Sequence, residues 1–327
     1  MNATEAKLPS PLRLPLFAAP MFLVSGVDLV VGACRAGIIG SFPTSNCRTV
    51  ADLDTWMGSI VDALAAPKHA DQHWENAPWA VNLITHSSNS RLADDLALVS
   101  EYKPPVVITA LGSPKPVMET VKGYGGIVLA DVIDLKLARK AADADADGLA
   151  CITSGAGGHT GTLSPFAFVA TVREFFAGPI VVGGGISSGA GIAGAIAAGA
   201  DAVYMGTRFI PARESLAVED YKTMVVDHSI ADLVVSDGVT GTPASWLRPS
   251  LIASGYDPDD LSRPAAVRNY DANQSPAKRW KDTWAAGQGL ETIRKVQPIR
   301  EIVDELADQY DAAVGRFTAM NAGSPQT

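Results

Sequence analysis

The chain has 327 residues, 47% hydrophobic and 19% charged, a balance that can bury a large core and excludes a largely disordered protein. A formal charge of -9 with no offsetting Lys/Arg cluster excludes a phosphate backbone as partner, so no nucleic acid is expected. No apolar run reaches the roughly 20 residues of a membrane helix, and MNATEAKLPSPLRLP lacks the charged-then-apolar order of a secretion signal, so the expectation is a cytoplasmic protein with no membrane partner.

Short apolar or β-branched runs then alternate with amphipathic stretches, the order of a parallel sheet covered by helices. LPLFAAP (14–20) reads as a strand, GVDLVVGACRA (26–36) as a helix, GIIGSF (37–42) as a strand and TVADLDTWMGSIVDALAA (49–66) as a helix. WAVNLI (79–84), PVVITAL (105–111), GGIVLA (125–130) and DGLACI (147–152) follow as strands, separated by helices at 90–102, 114–124 and 134–144. PIVVGGG (179–185) and DAVYMG (201–206) complete the set, with a small-residue helix at 189–200 between them. Eight such steps are the count of an α/β protein of the (β/α)8 TIM-barrel class, which needs about 250 residues; a doubly wound open sheet is the alternative.

A helix near 217–229 precedes a Pro/Gly/Asp-rich excursion, read as a small, mostly helical or irregular cap inserted after strand eight and lying over the barrel mouth. A last amphipathic helix, 291–314, closes the chain before a frayed tail. The expected division is a barrel over 1–234, a cap on the substrate side over 235–288, and a returning C-terminal helix with a short tail over 289–327.

In such barrels the site lies at the C-terminal strand ends, and the loops after strands seven and eight commonly bind phosphate. GGGISSG and MGTRF occupy those two loops, so Gly183, Gly184, Gly185, Gly206 and Thr207 are the candidate phosphate cradle, presenting backbone N–H groups near helix starts. The plainer reading is that these glycines only permit tight turns. His159, in SGAGGHTG after strand six, falls at the same mouth, where an imidazole can act as general base or orient an anion; the plainer reading is a turn histidine bonded to backbone.

Among the other histidines only His86 has a mouth position; His69 and His73, four apart in HADQH, read as surface, and no metal site is expected. Cys34, Cys47 and Cys151 are odd in number with no C-x-x-C spacing, which fits reduced thiols. Cys151 could pair with His159 as a nucleophile, but a buried inert thiol is the commoner case. Asn82 is a polar amide in an apolar strand that must find partners, in backbone or on the polar edge of a heterocycle.

AAPM, VNL, GAGGHTG, the block from Pro179 to Phe209, TGTPASWLR and WAAGQG, in that order, resemble the nitronate monooxygenase family, formerly 2-nitropropane dioxygenases, FMN-dependent (β/α)8-barrel oxidoreductases. The resemblance implies that Gly183 to Gly185, Gly206 and Thr207 hold the FMN phosphate, that Pro20, Met21 and Asn82 flank the isoalloxazine, that Gly158 and Gln288 also meet the cofactor, and that His159 is the catalytic histidine. It implies oxidation of a nitronate anion, which gives one electron to the flavin, with O2 capturing the radicals to yield a carbonyl compound and nitrite. The partners implied are a small-molecule substrate and O2, in a monomer or homodimer. Asp131 falls where many members carry a lysine that meets the cofactor, and a carboxylate there would disfavour the reduced flavin anion. Relatives of the same architecture reduce quinones or enoyl thioesters with NADH; a flavin-free isomerase or lyase using His159 as base, and a non-enzymatic binding barrel, are the remaining alternatives.

Overall fold

The computed structural model describes residues 7–67, 74–261 and 282–322. Eight parallel strands close into a barrel in the order β1 (Leu16–Ala18), β2 (Ile39–Pro43), β3 (Trp79–Ile84), β4 (Val106–Ala110), β5 (Ile127–Val132), β6 (Gly148–Ile152), β8 (Ile180–Gly183) and β9 (Ala202–Met205). Closure is made by β1, whose Phe17 is registered with Ile39 on β2 and with Tyr204 on β9. The TIM-barrel expectation is therefore met.

The strands read as continuous apolar runs because both faces are covered. One cluster holds alternate residues of all eight strands, among them Phe17, Ile39, Ala80, Ile108, Leu129, Ala150, Val181 and Ala202, and these fill the barrel. The intervening positions, such as Leu16, Cys151, Val182 and Val203, pack outward with helix residues including Leu29, Phe168, Ile192 and Ile302. The helical layer comprises α1 (Val27–Arg35), α2 (Val50–Ala65), α3 (Leu92–Tyr102), α4 (Lys115–Gly123), α5 (Leu135–Ala142), α6 (Pro165–Arg173), α7 (Gly189–Ala197) and α8 (Glu219–Asp227). Thr49 begins α2 with a capping box, its hydroxyl accepting from Asp52 N while the Asp52 carboxylate accepts from Thr49 N.

One expectation needs correction. The last helix, α10 (Ile299–Ala322), begins eight residues later than its amphipathic pattern suggested. Pro298 immediately precedes it and disfavours helical backbone at Gln297, so residues 288–292 form only a 3-10 turn, with Leu290 and Ile293 buried against Val24 and Tyr221. Among its described residues the excursion after the eighth barrel strand is mostly irregular or helical, with a few short strand residues. It carries β10 (Leu233–Ser236), β11 (Ala244–Leu247) and the short helix α9 (Arg248–Ala253). β10 and the two-residue strand β7 (Gly158–His159) pair antiparallel with opposite edges of β11. No helix among the described residues is long and apolar enough to cross a membrane.

Candidate active site

Four segments distant in sequence meet at the C-terminal ends of the barrel strands. The Gly155 carbonyl, in the loop after β6, accepts hydrogen bonds from Gly185 N at 3.0 Å and Gln288 N at 2.9 Å. Gly287 N donates to Thr207 Oγ1 at 2.9 Å, tying the same segment to the loop after β9. The loops close this tightly because they lack side chains where they touch: a Cβ on Gly157 would stand 2.7 Å from Gly287 N, and one on Gly184, whose φ is +142°, would collide with Thr153 Oγ1. Gly185 and Gly206 differ. A Cβ on Gly185 would meet nothing nearer than Gln288 at 3.8 Å, and one on Gly206 nothing nearer than Met21 Sδ at 3.4 Å. At both glycines a Cβ would make only ordinary contacts, although the φ of +68° at Gly185 favours glycine there, and Met21 in the loop after β1, just past Pro20, lies beside Gly206.

His159 is half-buried and belongs to β7, registered with Ala244 of β11. Its loop is fastened on both sides, since Thr160 N donates to Pro243 O at 3.1 Å and Thr160 Oγ1 donates to Thr153 O at 3.2 Å. β11 is fixed in turn by Ser245 Oγ, which donates to Ala286 O at 2.7 Å. The cap strand and the glycine segment thus hold the imidazole's backbone through hydrogen bonds that do not involve its ring.

Asn82 and Asp131 share the inward-facing parity of Ala80 on β3 and Leu129 on β5, so both point into the barrel near its C-terminal end. Asp131 Oδ1 and Tyr204 Oη are enclosed without a hydrogen-bond partner. Burial pushes the Asp131 carboxyl up to about 7, which modifies the expectation of a fixed negative charge at this position. Cys151 faces outward, and burial raises it, like Cys34 and Cys47, to about 12, which removes it as a nucleophile for His159. His86 Nδ1 lies 2.8 Å from Ser88 Oγ, and His228 Nδ1 lies 3.0 Å from Met224 O at the end of α8. His69 and His73 lie outside the described residues. Among the described residues no group of three His, Cys, Asp or Glu side chains could hold a metal ion.

Sequence reasoning missed Asn46, in the 3-10 turn after β2. Its Nδ2 donates to Met21 O at 3.1 Å and Ser25 O at 2.8 Å, and its Oδ1 accepts from Leu23 N at 2.8 Å, where Leu23 has a φ of 60°. The turn is anchored by buried Arg91, which donates to Cys47 O at 2.6 Å and pairs with Asp95 at 2.9 Å. The only signal in sequence was an amide in PTSNC, indistinguishable from an ordinary turn residue. Asn46→Ala strands three backbone groups at about 1–3 kcal/mol each when buried, so a drop of several degrees in Tm is expected. An unchanged melting curve would mean the Met21 loop holds itself.

Comparison with known proteins gives this geometry a context. The family described as nitronate monooxygenase matches residues 9–309. A nitronate monooxygenase of Paraburkholderia phytofirmans is 27% identical, covering 92% of this chain and 93% of its own length. A 5-hydroxy-7a-methyl-1-oxo-octahydro-1H-indene-4-carboxyl-CoA dehydrogenase of Rhodococcus jostii is 28% identical over 73% of this chain, and the match spans only 64% of that relative. Among solved structures, FabK from Thermotoga maritima superposes with a TM-score of 0.75 at 25% identity, covering 94% of this chain and 96% of its own. The match along almost the whole barrel, glycine turns and histidine loop included, means that the chain belongs to the nitronate monooxygenase family and is a flavin-dependent oxidoreductase.

Proposed function

We propose that the mouth binds FMN and that the enzyme oxidises alkyl nitronates with O2 to a carbonyl compound and nitrite. The observation that carries this reading is the convergence on Gly155: the loops after the sixth and seventh barrel strands and the Gln288 segment meet at one carbonyl, with the loop after the eighth strand tied in through Thr207. The residues fit the cofactor. Gly185 and Gly206 present backbone without a side chain at the mouth, with no protein atom nearer than 3.8 Å and 3.4 Å to where a Cβ would stand, and Asp131 offers an enclosed polar atom with no protein partner. Gly183, Gly184, Gly185, Gly206 and Thr207 would hold the phosphate; Pro20, Met21, Asn82, Asp131, Gly158 and Gln288 would border the ring.

Bound FMN supplies the one-electron and O2 chemistry that side chains lack. The protein's share is position and charge. His159 as imidazolium pairs with the nitronate oxygens, and as neutral imidazole it can take the α-proton of a nitroalkane. The β7–β11 pairing fixes the backbone from which the ring projects, so little orientation has to be gained on binding.

A second reading, NADH-dependent reduction of an enoyl thioester or quinone in the same site, draws support from the carboxyl-CoA dehydrogenase relative and from exposed Leu111 and Ile133, which directly follow β4 and β5 at the C-terminal strand ends. An anaerobic titration of FMN-supplemented protein separates the two. Bleaching of the flavin absorbance by a small alkyl nitronate, with NADH inert, is the expected result; bleaching by NADH alone favours the reductase, and absence of bound flavin removes both.

A further inference from the structure

Asp131 lies one residue before the end of β5, on the strand face that lines the barrel. Its Oδ1 is shut off from solvent and unpartnered, and so is the hydroxyl of Tyr204, on the inward face of β9. An enclosed polar atom left without a partner costs about 1–3 kcal/mol, and two of them lining one end of one barrel call for a ligand that satisfies them.

No cation answers the carboxyl; burial is the cause of its displacement. The titratable groups that feel its charge are Tyr204 from β9 and Cys151 from β6, both kept neutral by their own burial. The facing residues of β4, Ile108 to Ala110, carry no charge. An isolated carboxylate is costly in such surroundings, so the site favours a carboxylic acid, a group with a proton to give.

We propose that Asp131 binds the flavin as a neutral acid, donating a hydrogen bond to an acceptor atom of the ring, and that cofactor retention is thereby coupled to one proton. The inference rests on the flavin reading above. The ring's carbonyl oxygens and unprotonated nitrogens are the acceptors available. Above the carboxyl's own titration, near 7, the acid must first regain a proton from solvent, so the dissociation constant rises about tenfold per pH unit.

The test is FMN binding to apoprotein between pH 7 and 9, followed by quenching of FMN fluorescence, for the wild type and Asp131→Asn. Both proteins see the same phosphate ionisation, so their difference isolates Asp131. The wild type is expected to weaken by about tenfold per unit, while the asparagine variant, which keeps a donor but cannot ionise, stays flat. Parallel curves, or a wild-type constant that does not move, overturn the proposal. Calorimetry of wild-type binding at pH 8 in two buffers of different ionisation enthalpy gives a reading independent of the variant: uptake of about one proton per FMN is expected, and no uptake overturns it. FMN that binds without pH dependence leaves the flavin reading standing, whereas FMN that binds at no pH overturns both.

Discussion

His159→Ala lowers kcat/KM for a small alkyl nitronate by about 10²–10⁴, the range for losing a positioned acid–base group, while flavin content stays at the wild-type level. The separation is possible because the histidine loop is built from backbone. β7 is registered with β11 at Gly158 and His159, and Thr160 reaches Pro243 and Thr153, none of which requires the imidazole. Truncation leaves these backbone bonds in place, so the proposed flavin-facing position is emptied while they continue to tie the loop. His159→Asn sharpens the assignment. An amide can still donate to a nitronate, which is already an anion, but cannot take a proton, so activity should recover partly with nitronates and not with neutral nitroalkanes. Full turnover by the alanine variant would remove His159 from the mechanism.

The barrel was legible in the sequence because of what parallel strands require. Covered on both faces, WAVNLI, PVVITAL and PIVVGGG read as largely apolar runs, followed by turn-forming residues in THSSNS, GSPKP and GGGISSG. The candidate cradle residues could be brought to one mouth for the same reason, since the consecutive strands β8 and β9 are neighbours in the closed sheet. What stayed hidden depends on pairings that leave no local trace. ASWL, with a serine between apolar residues, does not announce a strand, and its partner is a two-residue segment in a distant loop. Likewise, Gln288 meets Gly155 through its backbone N–H, a contact that any residue except proline could make. Asn46 carries its role through hydrogen bonds to a loop distant in sequence, and Tyr204 through burial, neither of which a single sequence encodes at a turn or a strand end.

In apoprotein the same carboxyl that we assign to the flavin should cost stability as pH rises. Asp131 is raised to about 7 from an ordinary value of 3.8, so between roughly pH 4 and 7 the folded chain retains a proton that the unfolded chain has released. Its contribution is fully present at the acid end of that window and is lost as pH climbs through it, opposite in sign to a salt-bridged aspartate. A shift of about three units is worth about 4 kcal/mol at most, and because the side chain is partly open at the mouth, about 2–4 kcal/mol is the expected range. Asp131→Asn removes the titration. The urea midpoint of the apo wild type should therefore fall relative to that of the variant from pH 5 to 7 and run parallel to it above 8. Superimposable pH profiles would mean that the carboxyl is solvated in the empty barrel. With FMN bound the folded chain keeps that proton above pH 7 as well, so the holo wild type should go on losing stability beyond pH 7, where the apo profile has levelled off, and the divergence of the two profiles there measures the coupling between cofactor and proton.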